Sequence, residues 1–198
     1  MIILSPVGPY YVGGLTPTKL YVEDKYVRAT PGGTGEAKCG GNYAASLKAQ
    51  MEASKKGYEQ ILWLDGVERK YVEEIGTSNA FFMINDEVIT APLGGTILSG
   101  ITRDTVINVL KQKGIKISER RLTIDEVFNA AKDGSLKEMF ASGTAAVISP
   151  VGELCYKGEN IVINNGEIGN VAQTLYDTIY GIQTGALPDP AGWSVEVK

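Results

Sequence analysis

The segment "GGTGEAKCGGNY", residues 32–43, sets one lysine, Lys38, among five glycines and puts a tyrosine hydroxyl, Tyr43, five residues later. A lysine amine is a nucleophile only when it is deprotonated, which needs burial or a neighbouring cation. Glycines allow the backbone to pass very close to something beside Lys38. The expectation is a tight loop that delivers the amine into an enclosed pocket. A surface loop with a solvated lysine is the competing reading. Neither nucleotide fingerprint fits. Ala37 and Cys39 flank the lysine where a phosphate loop needs Gly and Ser/Thr. Lys38 also stands where the third glycine of a dinucleotide motif belongs.

Three further segments carry candidate chemistry. In "SGITRD", residues 99–104, Gly100, Ile101 and Thr102 open a predicted helix. Its free amides and the threonine hydroxyl make a phosphate seat, with plain capping as the alternative. "SGTAA", residues 142–146, puts small residues and open amides at a strand-to-turn transition, where an anion or only a β-turn would fit. In "EEIGTSN", residues 73–79, one of the two carboxylates reads as solvated, and the other could hold a cationic ring nitrogen. The chain contains no histidine, which removes Ser-His and Cys-His dyads and His-ligated metals, and two cysteines alone cannot make a structural zinc site. Lysine chemistry leads. A lysine, a phosphate seat, a carboxylate and a tyrosine are the parts that pyridoxal phosphate requires.

The elements that must position these residues are legible in part. "KLYVEDKYVRA" is strand-like, and residues 1–20 start with a short apolar strand followed by a Gly/Pro-rich loop. "NYAASLKAQMEASKKG" reads as a helix with Tyr43, Leu47 and Met51 recurring every four residues. "QILWLDG" is a buried strand closing on Asp65-Gly66, and "TSNAFFMINDEVITAPL" is a hairpin turning at Asn85-Asp86. "TRDTVINVLKQKG" and "TIDEVFNAAKDG" are helices, the latter with Thr123 and Glu126 as a capping box. Two or three strands follow through "EMFASGTAAVISPVGELCYKGENIVI", then a last helix, "NVAQTLYDTIYGIQTG", and an extended, peripheral end. The expected fold is a mixed α/β domain of short, mostly hairpin-connected strands.

Composition sets outer bounds. With 198 residues, 43% hydrophobic and 21% charged, the chain can bury a sizeable core. A net charge of −4 with scattered positives argues against nucleic acid or an anionic membrane as partner. The front of the chain lacks a signal-peptide pattern, and two cysteines form no disulfide framework, so a cytoplasmic protein is expected.

"RATPGGTGEAKCGGNYAASLKAQ", "LWLDG…VEEIGTSNAFF", "TILSGITRD" and "FASGTAAVISPV" together resemble, in order and spacing, the motifs of branched-chain amino acid aminotransferases. The resemblance runs from about residue 4 to residue 182, and its "KxGGNY" block is specific within the type-IV fold of pyridoxal-phosphate enzymes. It implies an α+β large domain of the D-amino acid aminotransferase-like fold, a mixed-strand pseudo-barrel with surrounding helices. The implied activity is transamination of Leu, Ile or Val with 2-oxoglutarate. D-amino acid aminotransferases, aminodeoxychorismate lyases and a non-catalytic module of the same fold are the alternatives.

Residue by residue, the resemblance makes Lys38 the Schiff-base lysine and the proton carrier, Tyr43 the partner of the phenolic oxygen, and Glu74 the partner of the pyridine nitrogen. Glu73 has no matching role and is expected to be solvated. Leu98 would pack on a ring face. The amides of Ile101 and Thr102 and the Thr144 hydroxyl would hold the phosphate, and amides from Thr144 through Ala145 to Ala146 would receive the substrate carboxylate. Ala146 and Ser149 stand where mammalian members have cysteines, so no redox pair is expected. Family members are homo-oligomers, at least dimers. They also carry a small N-terminal domain before the segment that begins here. The expected division is an interdomain-loop-like stretch at 1–16 and the cofactor-binding large domain at 17–198. With the small domain absent, weak cofactor binding and little activity are expected.

Overall fold

The computed structural model describes residues 3, 5, 6 and 15–195. The short apolar strand and loop expected at the front, and most of the 1–16 segment, lie outside the described residues. Among the described residues, nine strands and four α-helices follow: β1 (Thr18–Glu23), α1 (Gly40–Lys55), β2 (Gln60–Leu64), β3 (Val72–Ile75), β4 (Ser78–Ile84), β5 (Glu87–Thr90), α2 (Ile101–Gln112), β6 (Lys116–Glu119), α3 (Ile124–Lys132), β7 (Leu136–Gly143), β8 (Val147–Tyr156), β9 (Glu159–Val162) and α4 (Asn170–Gln183).

Six of the strands close a ring. The path β3-β2-β1-β8-β7-β4 returns to its start because β3 also pairs with β4. That closure is short: Glu74 lies opposite Asn79 and Ile75 opposite Ser78. β5 and β6 extend the sheet from β4, and β9 extends it from β8. The β4–β5 hairpin turns where its residues predict, with Asn85 at φ 52°, whereas β3 and its tight hairpin to β4 were not expected. The parallel pairings of β1 with β2 and β8, and of β5 with β6, are long-range, and the local pattern does not reveal them. β6 was not expected. Its residues are exposed or half-buried, so it lacks the apolar alternation that marks a strand. β1 ends earlier than "KLYVEDKYVRA" suggests, because the Glu23 carboxylate accepts the N–H groups of Lys25 and Tyr26 and turns the chain.

Strand alternation sorts the core into two sides. Phe82, Met139 and Leu154 point into the ring, where Val127 and Phe128 of α3 join them. Phe81, Phe140 and Ile148 point outward against α2 and α4, and the Phe81 and Phe140 rings stack at 5.1 Å between centroids. α1 covers the outside of β2, where Ala49 and Ala53 meet Ile61 and Trp63. This face is not the one the apolar spacing selects. Leu47 is 62% exposed and Met51 60% exposed. Alanines let the helix backbone approach the sheet closely, and the larger side chains then have room only outside.

Two local devices set the ends of elements. Asp65, in the turn after β2, accepts the N–H groups of Val67, Glu68, Lys70 and Tyr71. Burial raises this carboxyl's pKa, but the four hydrogen bonds outweigh that and hold it below its ordinary value. At α3, Thr123 Oγ1 accepts the Glu126 N–H at 3.0 Å, which is one half of the expected capping box. The Glu126 carboxylate pairs with Arg120 at 2.6 Å rather than reaching back.

Candidate active site

Lys38 is held by the loop before it. The buried Asn42 side chain accepts the Thr34 hydroxyl at 2.7 Å and donates to the carbonyls of Thr34 and Ala37 at 2.7 and 2.9 Å. It thereby folds the glycine-rich segment back onto the first turn of α1. The Lys38 amine lies 5.2 Å from the centroid of the Tyr43 ring. The expected enclosure is not what the structure shows. Lys38 is exposed, as is nearly all of the loop from Pro31 to Gly41, since only Gly35 is fully packed. Gly35 is the glycine that close approach requires. A Cβ there would lie 2.6 Å from the Thr96 carbonyl oxygen and 2.5 Å from Ala29 Cβ.

Glu74 is the buried charge of the site. Its side chain is 2% exposed. Oε2 pairs with Arg28 Nε at 2.7 Å, and Oε1 accepts the Leu98 N–H at 2.9 Å and the Asn79 amide at 3.3 Å. Burial pushes the Glu74 carboxyl up to about 7, against the opposing pull of Arg28, the Leu98 N–H and Lys38. Arg28 also donates to the Thr96 carbonyl at 2.7 Å and the Gly35 carbonyl at 3.2 Å. One guanidinium therefore ties the lysine loop, the acid and the segment before α2 together. Sequence reasoning gave Arg28 no role. Its only signal was an arginine inside the "RATPGG" block.

Glu73 corrects an expectation. It is 8% exposed rather than solvated, and Oε1 accepts the Thr96 hydroxyl at 2.6 Å. Strand alternation turns it away from Glu74, toward a cavity of about 390 Å³ that it lines with Asp65, Tyr71, Thr96 and Arg121.

The remaining candidates gather at the ring closure. Asn79 sits opposite Glu74 on one side and Ser142 on the other. Its amide also donates to the Leu98 carbonyl at 2.9 Å. Gly100, the N-cap of α2, abuts it so closely that a Cβ would collide with Asn79 Oδ1. Among the described residues no side chain caps α2, so the amides of Ile101 and Thr102 are open, and Ile101 itself is 84% exposed. Thr144, Ala145 and Ala146 form the turn between β7 and β8, just beyond Ser142. Lys38, Glu74, Leu98, the α2 N-terminus and the 144–146 turn are thus linked around one edge of the ring. Asn79, which sequence reasoning missed, touches Glu74, Leu98 and Gly100 and lies opposite Ser142.

Such an edge offers an amine, a buried acid held by a guanidinium, and open backbone amides for an anion. Residues 15–154 match the family model described as amino-transferase class IV, and the chain belongs to that family. It is 59% identical over 197 residues to branched-chain-amino-acid aminotransferase 2 of Bacillus subtilis (strain 168), covering 100% of this chain and 54% of that protein. It is 46% identical over 197 residues to the branched-chain-amino-acid aminotransferase of Mycobacterium tuberculosis, covering 98% of this chain and 54% of that protein. Among solved structures, the Escherichia coli branched-chain amino acid aminotransferase matches with a TM-score of 0.82 at 32% identity, covering 96% of this chain and 59% of that one. The T.th. branched-chain amino acid aminotransferase complexed with N-(5'-phosphopyridoxyl)-L-glutamate matches with a TM-score of 0.76 at 32% identity, covering 89% of this chain and 55% of that one. The chain spans about half the length of the curated relatives it matches. Among the described residues, no helix is long and apolar enough to cross a membrane.

Proposed function

We propose that this chain holds pyridoxal phosphate for transamination of branched-chain L-amino acids, Leu, Ile or Val, with 2-oxoglutarate as the amino-group acceptor. The observation that carries the reading is Glu74, a carboxylate kept in the interior by Arg28 and the Leu98 N–H just before the uncapped α2, and near enough to Lys38 to feel its charge. The names of the relatives support the substrate class, and the phosphopyridoxyl complex of one of them supports the cofactor.

The residues fit the group. Lys38 would bond it through its amine and move the proton at the substrate α-carbon. Tyr43 would donate to the phenolic oxygen. Glu74 would accept from the ring nitrogen, and Leu98 would lie on a ring face. The amides of Ile101 and Thr102 and the Thr144 hydroxyl would bind the phosphate. Amides from Thr144 through Ala145 to Ala146 would receive the substrate carboxylate. When bound, the cofactor supplies an electron-withdrawing ring that takes up charge left at the α-carbon. A carboxyl near pH 7 that already has a guanidinium partner suits this role, since a cationic nitrogen beside it favours the ionised form.

The substrate is tested with a panel of Leu, Val, D-Ala and aminodeoxychorismate, following amino transfer on the cofactor-loaded protein. Transfer from Leu and Val at a low rate is expected. Reaction with D-Ala or aminodeoxychorismate alone would point to another type-IV activity.

A further inference from the structure

The segment between β5 and α2 clasps β3 from both faces. Its Thr96 hydroxyl donates to Glu73 at 2.6 Å on one side, and two residues later the Leu98 N–H donates to Glu74 at 2.9 Å on the other. Arg28 grips the same segment at the Thr96 carbonyl, and Gly35 packs against it. Its far end is held by the Arg103 guanidinium, which donates to the Ala91 carbonyl at 2.9 Å. Among the described residues, Glu73 Oε2 is buried with no hydrogen-bond partner. The charged groups that act on Glu73 are Asp65 from the turn after β2, Arg28 from the segment after β1 and Arg121 from the segment before α3, and Glu73 and the adjacent Glu74 repel each other. Beyond these, the Thr96 hydroxyl supplies its one hydrogen bond among the described residues. A buried carboxylate with a single donor is an expensive group to keep.

We propose that Glu73 and Thr96 are a positioning pair for Glu74. The hydroxyl of Thr96, seated on Glu73, sets the height of the strap over β3, and with it the Leu98 N–H that binds Glu74 and the start of α2. Nothing in the cofactor chemistry requires Glu73 to touch substrate or cofactor, and it acts through Thr96 and Leu98. The inference rests on the proposed role of Glu74. Its readout is taken on the cofactor-free chain, so its failure is separable from a failure of cofactor binding.

The test uses amide hydrogen exchange at Leu98 and a pH titration of the Glu74 carboxyl by carbon NMR on glutamate-labelled protein. In Thr96→Val and Glu73→Ala, Leu98 exchange is expected to speed up about tenfold, as for loss of one supporting hydrogen bond. In Thr96→Val the Glu74 midpoint should rise, because its anion loses a donor. In Glu73→Ala loss of the Glu73 charge, which itself raises the Glu74 midpoint, opposes that rise, so exchange alone is read there. Thr96→Ser and Glu73→Gln retain the hydroxyl and its acceptor, and Leu98 exchange should return to the wild-type rate, with a Glu74 midpoint at or below that of wild type. The amides of Leu110 and Phe140 should stay protected in all four. Wild-type Leu98 exchange in Thr96→Val and Glu73→Ala, or an unmoved Glu74 midpoint in Thr96→Val, would overturn the proposal. So would failure of Glu73→Gln to restore the rate. So would a loss of protection shared equally by Leu110 and Phe140, which would make the pair a general support of the fold.

Discussion

At Glu74, two opposing effects meet in one side chain. Burial favours the protonated acid, and Arg28 favours the anion. Because the folded-state value of about 7 exceeds the ordinary 4.5, the native chain binds more protons than the unfolded chain between those limits. The contribution to stability is therefore greatest at the acid end of this window and is lost as pH rises through 7. Glu73, which burial also pushes upward, adds in the same direction. Glu74→Gln should flatten this slope in urea denaturation between about pH 5 and 8. Arg28→Met removes the partner and leaves an uncompensated buried charge, which costs about 3–5 kcal/mol. That loss should be largest at the alkaline end of the range and shrink at the acid end, where Glu74 can take up a proton. An equal loss at both ends would mean that Arg28 acts by packing and not by charge.

At the scale of elements, the packing of α1 and of the loop before it yields two contrasts. Leu47→Gln and Met51→Gln should each change stability by no more than about 0.5 kcal/mol, since both side chains are exposed. Ala49→Leu should cost about 1–3 kcal/mol by overpacking the contact with Ile61 and Trp63. The reverse ranking would restore the face that apolar spacing selects. Gly35→Ala should lower the melting temperature and loosen the lysine loop, because its Cβ would meet the fixed Thr96 carbonyl. Helix existence was legible from periodicity, and α2, α3 and α4 fall within a residue or two of their expected limits. The buried face of α1 was not, because small residues decided the packing and a hydrophobic count gives them little weight. The half-formed capping box at α3 has a similar cause. Arg120, six residues before Glu126, offered the carboxylate a charged partner that no local motif includes.

At the scale of the whole molecule, ring closure makes the site. Glu74 and Asn79 face each other across the tight β3–β4 hairpin, and the long-range pairing of β4 with β7 brings Ser142 into the same row. The β4–β5 hairpin could be read from its turn residues. The parallel partners of β1 could not, since they depend on contacts about 40 and 130 residues away. The motif resemblance points to Lys38, Glu74 and the 144–146 turn as site residues. It left out Arg28, Asn42 and Asn79, whose partners are backbone carbonyls placed by the folded loops: Thr34 and Ala37 for Asn42, Thr96 for Arg28 and Leu98 for Asn79. The buried state of Glu73 was hidden for the same reason. Neighbouring carboxylates in sequence look equivalent until a strand sends them to opposite faces.

Everything proposed for this edge of the ring turns on Lys38 as the covalent anchor. The direct measurement is to add pyridoxal phosphate to the chain, reduce with borohydride, and map the pyridoxyl group by peptide mass spectrometry. The label is expected on Lys38 and should be lost in Lys38→Ala, with the other lysines unmodified at the same cofactor concentration. A label that is absent, or that persists unchanged on another lysine in Lys38→Ala, would contradict that role.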